Sequence, residues 1–147
     1  MNLMMGDVRV GVGTLIFSKD KIFLAKRKAS HADGYWGSTG GHLEFGESFK
    51  ECAIREANEE FGLTLSNLHY LCVSNVIDYD VHYVDIEFMC QLPKDQKPQI
   101  KEPEKFYQYG WFDLDKLPKP LFMPIQYAIK SYIEGIYFWD SSPNQEY

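Results

Sequence analysis

Residues 41–63 read GHLEFGESFKECAIREANEEFGL, and this stretch decides the fold. Its second half, 48–62, carries helix signals at both ends: Ser48 supplies a cap, Glu51 three residues later completes a capping box, and Gly62 stops the helix. Phe49, Ala53, Ala57 and Phe61 form its apolar stripe. Glu56 and Glu60 are i and i+4 neighbours, Glu59 stands on the same flank beside Arg55, and Glu47 comes just before the cap. Four carboxylates within 14 residues repel one another and weaken a bare helix, a conflict that a divalent cation removes. Oxygen ligands with no His or Cys among them favour a hard ion, magnesium first and manganese second. The competing reading is a solvated acidic helix face, which is what most charge runs are. The residues before the helix weigh against it. Segment 41–48 has the glycine spacing of a phosphate loop, yet Glu47 stands where a bare-phosphate cradle needs its Lys. A loop ending in carboxylate suits metal-bound phosphate.

Working outward, Val8, Val10 and Val12 alternate with Arg9, Gly11 and Gly13 and lead into Leu15, Ile16 and Phe17, a strand with one well-buried face. Residues 18–21 turn the chain into a second short strand, 22–25, so a hairpin is expected; 28–35 reads as loop. Beyond the helix, 65–77 and 81–92 are rich in β-branched and aromatic residues and look like two long paired strands. A polar loop, 93–103, precedes a short strand at 106–112 and a turn at 113–118. Pro124 opens a second helix that runs to about Gly135, with Ile125, Ala128, Ile129 and Ile133 on one face. Strands flanking two helices, with no repeat and no linker, predict one mixed α/β layered domain over 1–147, its core at about 7–138 and its tail, 140–147, polar and frayed.

Composition narrows the function. At 147 residues, 45% of them hydrophobic, with Phe 10, Tyr 10 and Trp 3, the chain has material for one packed core and not for a disordered one. Lys and Arg number 15 against 21 Asp and Glu, a formal net charge of -6, which argues against nucleic acid polymers as partners. A phosphate substrate must therefore meet positive charge from another source. Cys52, Cys72 and Cys90 make no CxxC pair and are odd in number, so a reducing compartment is expected. Residues 1–5 are too short for a signal peptide and no apolar run suits a membrane span, so the expectation is a soluble cytoplasmic protein with no membrane partner.

The stretch resembles the Nudix box, G-x5-E-x7-R-E-U-x-E-E-x-G-U. Gly41, Glu47, Arg55, Glu56, Glu59, Glu60, Gly62 and Leu63 match its fixed positions, with Ala57 smaller than the usual aliphatic residue. The resemblance implies an α/β fold, the Nudix-type α/β/α sandwich with a mixed β-sheet, and cleavage of a diphosphate linkage in a nucleoside diphosphate joined to another group. Segment 40–47, with Glu102-Pro103-Glu104-Lys105 downstream, is similar to the MutT-type nucleoside triphosphate diphosphatases over about residue 8 through the second helix; Thr39 departs from the proline common there.

That resemblance implies roles residue by residue. Glu56 and Glu60 match the main ligands of Mg2+ or Mn2+, with Glu59 and Glu104 as further metal ligands. Glu47, Arg55, Glu59 and Glu60 form the catalytic set, Glu47 or Glu59 serving as additional ligand or base. Arg55 would orient a glutamate with its planar fork, unless it makes a plain surface ion pair. Gly40, Gly41 and His42 would bind the nucleotide substrate, although a lone loop histidine is as readily a surface residue. Glu102 and Glu104 could also be ordinary solvated loop charge. Phe17, Tyr83, Trp111 and Phe122 are available to stack on a base, and none stands out. Ser38 lies in no GxSxG elbow, so metal-activated water rather than a protein nucleophile carries the expected reaction. Three functions stay open: hydrolysis of nucleoside or deoxynucleoside triphosphates to monophosphate and diphosphate, hydrolysis of ADP-ribose, a nucleotide sugar or another X-linked nucleoside diphosphate, and a silent nucleotide-binding module. A homodimer is implied by resemblance alone.

Overall fold

The computed structural model describes residues 6–78 and 80–140. The expected hairpin forms from β1 (Arg9–Ser18) and β2 (Lys21–Arg27). There follow β3 (Trp36–Gly37), β4 (Thr39–His42), α1 (Phe49–Phe61), β5 (His69–Asp78), β6 (Val81–Gln91), β7 (Phe106–Asp113), α2 (Met123–Glu134) and β8 (Phe138–Asp140). One sheet runs in the order β3-β2-β1-β6-β5-β8, with β4 paired to β1 and β7 to β2. It is mixed: β1 with β6 and β5 with β8 are parallel, the other pairs antiparallel.

Strand β1 is the hub. One edge pairs with β6 along almost its whole length, while the other is divided between β4, opposite Gly11 to Thr14, and β2, opposite Phe17 and Ser18. Side chains alternate across a strand. Val12 and Ile16 therefore face α1 and pack with Cys52, Ala53, Ala57 and Phe61, whereas Leu15 and Phe17 face α2 and pack with Ile125, Ala128 and Ile129. A helix covers each face, and the α/β/α sandwich with a mixed sheet is the observed fold.

Several expectations are corrected. Phe49, placed in the α1 stripe, is 45% exposed, because it sits on the first turn where the helix has not yet met the sheet; Cys52 is buried instead. Ile133 is 59% exposed, while Ser131 is buried and its hydroxyl accepts the Trp139 Nε1–H at 2.7 Å, since β8 returns on that side of α2. Leu65 and Leu68 are buried but precede β5. Strands β3 and β8 lie just beyond the expected loop and the expected end of the second helix, and β4 overlaps the segment with phosphate-loop spacing, bringing Gly40, Gly41 and His42 onto a strand. The polar segment 93–105 is without regular structure, yet it is stitched to the end of α1: Gln99 N donates to Phe61 O at 3.0 Å and Lys101 N to Glu60 O at 2.9 Å. Residues 141–147 of the expected tail lie outside the described residues. Cys52, Cys72 and Cys90 are free and buried, and no helix among the described residues is long and apolar enough to cross a membrane.

Candidate active site

The capping box that opens α1 is formed in both directions, Glu51 N to Ser48 Oγ at 3.1 Å and Ser48 N to Glu51 Oε1 at 2.8 Å, and Gly62 closes the helix in the left-handed region at φ 67°. With its ends fixed, α1 turns Glu56 and Glu60 inward. They stand in the apolar face rather than beside it, only 8% and 4% exposed. Buried carboxylates are costly unless hydrogen-bonded. Glu60 Oε1 accepts from Thr39 Oγ1 at 2.7 Å and from Gly40 N at 3.0 Å. Thr39, the departure from proline, thus supplies a hydroxyl that proline lacks. Burial still pushes the Glu60 carboxyl up to about 8, and burial also raises Glu56. Gly41 is required here, since a Cβ would fall 2.5 Å from Glu56 Oε1.

Arg55 gathers the remaining acids. Its Nε and Nη2 clasp Glu47 at 2.6 and 3.0 Å, Nη1 donates to Glu56 Oε1 at 2.7 Å and more weakly to Glu59 Oε2 at 3.4 Å, and Nη2 also reaches the His42 carbonyl at 3.2 Å. Arg55 thus pairs with several glutamates at once. The Arg55 hydrogen bond holds the Glu47 carboxyl down to about 2, and Glu47 in turn raises Arg55. Glu59 is the most exposed acid of the group.

Arg55, Glu56 and Glu60, but not Glu47 or Glu59, border a cavity of about 530 Å3. Gly40, Gly41, His42, Arg55, Glu56 and Glu60 line it, together with three cations, Arg27, Lys28 and Lys105. His42 lies against Tyr83, its Nε2 3.0 Å from the phenol oxygen, and burial lowers its pKa. Phe122, Pro124 and Ile125 close the end nearest α2. Of the four aromatics considered for stacking, Tyr83 and Phe122 line the cavity, whereas Phe17 packs on Tyr132 and Trp111 on Phe23. Glu104 is exposed and is not brought to the cavity; its neighbour Lys105 is, and Lys105 pairs with Glu102 at 3.2 Å.

Two further lining residues, Asp85 and Glu87 on β6, were not singled out from the sequence. Within one strand they read as the solvated side of an alternating pattern. The available signal was Gly11 and Gly13, whose lack of side chains leaves room over β1.

Among the described residues no three His, Cys, Asp or Glu side chains converge as a ready cage for a metal ion. The donor set nevertheless fits a hard divalent cation: oxygen ligands only, two of them buried and raised by that burial.

Residues 7–132 match the sequence profile of the family described as NUDIX domain. The crystal structure of a MutT NUDIX hydrolase from Burkholderia pseudomallei superposes with a TM-score of 0.80 at 33% identity, covering 84% of this chain and 97% of that one. An ADP-ribose pyrophosphatase of Methanocaldococcus jannaschii is 32% identical over 115 residues, 77% of this chain and 66% of its own. The NAD-capped RNA hydrolase NudC of Pseudomonas aeruginosa is 28% identical over 130 residues, 84% of this chain; the chain spans 41% of that relative's length.

Proposed function

The chain belongs to the NUDIX domain family and is a Nudix hydrolase, and from that premise we propose that it converts nucleoside or deoxynucleoside triphosphates to monophosphate and diphosphate. The observation that carries this reading is that one cavity is bordered by three cations, Arg27, Lys28 and Lys105, together with the buried glutamates Glu56 and Glu60, a lining suited to a run of phosphates bound with a divalent ion.

Glu56 and Glu60 would hold magnesium, with Glu59 as a further ligand. When bound, the ion supplies positive charge to the phosphates and acidity to an attacking water. The chain's own residues do the rest. Arg55 fixes Glu47 and Glu56 in one orientation, as outer partners fix ligands in metal sites. Glu47, clasped by both arms of Arg55 and held at about 2, is an orienting group; Glu59 and Glu60 remain to take the proton from water. Lys105, Lys28 and Arg27 draw in the phosphates, and Gly40 and Gly41 let them approach the backbone.

A second reading, hydrolysis of ADP-ribose or another X-linked nucleoside diphosphate, is favoured by the ADP-ribose pyrophosphatase relative. Specificity constants for dGTP, dCTP, 8-oxo-dGTP and ADP-ribose at one magnesium concentration separate the two. Release of diphosphate from triphosphates is expected; an advantage of more than about tenfold for ADP-ribose overturns the triphosphate reading.

A further inference from the structure

Gly11 of β1 stands opposite Asp85 of β6, and Gly13 opposite Glu87. Gly11 is also opposite His42 of β4, and Gly13 opposite Gly40. Residues opposite one another share a face. This floor faces the α2 side, whereas Val12 and Gly41 face α1, so Asp85 and Glu87 are separated by the sheet from Glu56 and Glu60.

Both acids are buried, 6% and 2% exposed, and both line the cavity. The glycines make this placement feasible: a Cβ at position 13 would lie 2.5 Å from Glu87 Oε2, and one at position 11 would lie 3.3 Å from Asp85 Oδ1. The two carboxyls adjoin each other over the glycines of β1, and burial raises both above their ordinary values. Among the described residues no protein N–H or O–H serves Asp85 Oδ2 or Glu87 Oε1, and the hydroxyl of Ser74, directly across from Asp85 on β5, is also buried without a hydrogen-bond partner. Buried polar groups are nearly always satisfied, so a pair left this way calls for an explanation.

We propose that Asp85 and Glu87 act as a base-selecting pair, accepting two adjacent N–H groups from the nucleobase of the substrate. The inference rests on the nucleotide-hydrolase reading above. One proton shared between two carboxyls leaves a single negative charge and oxygens able only to accept. The matching edge carries neighbouring donors, as the N1–H and 2-amino group of guanine do. Hypoxanthine keeps only the N1–H, and adenine and cytosine place a ring acceptor beside their amino group. Tyr83, two residues before Asp85 on the same face, and Phe122 and Ile125 at the start of α2 border the compartment a base would enter. Magnesium is a poor alternative occupant while the pair shares a proton, since the ion takes deprotonated carboxylates.

The test is equilibrium binding of dGMP, dIMP and dAMP to the full chain, which needs no turnover. Wild-type protein should bind dGMP at least about tenfold more tightly than dIMP or dAMP, and Asp85→Asn and Glu87→Gln should each shrink that ratio several-fold. Equal binding of dGMP and dIMP by the wild type overturns the proposal without recourse to any variant, as does a ratio unchanged in both. A protein that prefers ADP-ribose in hydrolysis yet still favours dGMP over dIMP would refute the triphosphate reading and leave the base-selecting pair standing.

Discussion

Glu60, on the α1 side of the sheet, accepts hydrogen bonds from Thr39 and Gly40, and Glu47 and Glu56 are claimed by Arg55; Asp85 and Glu87, on the α2 side, have only each other. Both groups are acidic, and Glu56, Glu60, Asp85 and Glu87 border the same cavity. The difference lies in who supplies the donors. Donors built into the protein fix geometry before a ligand arrives, which suits charge chemistry that depends on placement. Missing donors leave the energetic gap to be closed by the ligand, which suits selection. Burial alone therefore does not tell a reaction centre from a recognition element.

The harshest way to break the contrast is Glu60→Gln. The amide oxygen can keep both protein hydrogen bonds while the charge is lost, so kcat/KM should fall by about a hundredfold or more with the fold intact. Thermal stability without metal should hold near neutral pH, where burial already keeps the Glu60 carboxyl largely protonated, and exceed that of the wild type above about pH 8, where the wild type would bury a charge beside Glu56. Turnover at the wild-type rate with magnesium would remove Glu60 from the metal site.

A milder probe is Arg55→Lys. A single ammonium cannot clasp Glu47 with two arms while also reaching Glu56, so the loop acids lose orientation rather than charge. Activity should drop about 10- to 100-fold with a raised magnesium requirement. Equal magnesium dependence in wild type and variant would reduce Arg55 to a surface role.

The smallest expected effect is a difference in pH response. Glu60, Asp85 and Glu87 have raised values in the folded chain, so the native state holds protons that the unfolded chain releases. Stability of the metal-free protein should be fullest below the ordinary carboxylate range, near 4, and decline as pH rises through about 6 and on to about 8. Glu47, lowered to about 2, works in the opposite sense, its contribution being lost as pH falls from 4 toward 2. Calorimetric melts from pH 4 to 9 check this. Glu87→Gln should flatten the part of the decline owed to the β6 pair, and magnesium only the part owed to Glu60. A decline left untouched by both would detach it from these groups.

The sequence made one of these two regions readable and concealed the other. Local signals within α1 and the loop before it were enough to place Ser48, Glu51, Arg55 and the glutamates, because helix caps and i, i+4 spacing are short-range facts. The position of Glu56 and Glu60 inside the apolar face was not readable, since it depends on the room that Gly41 leaves. Strands of two to four residues, β3, β4 and β8, are too short to show a period. Asp85 and Glu87 alternate with Val84, Ile86 and Phe88 as any half-solvated strand would. Only the parallel pairing of β6 with β1, set by chain segments some 70 residues apart, reveals that their side of the sheet is interior.

The seam between α1 and the segment that follows β6 has a mechanical consequence. Gln99 and Lys101 donate to the last carbonyls of α1, those of Phe61 and Glu60, so the peptide carrying Lys105 is riveted to the helix that carries the glutamates. A stretch that looks like a loose flap in the sequence is thus part of a rigid jaw. The neighbouring wall is fastened to the same jaw, since Lys28 N donates to Lys105 O at 2.8 Å, so both sides of this mouth are tied back to α1.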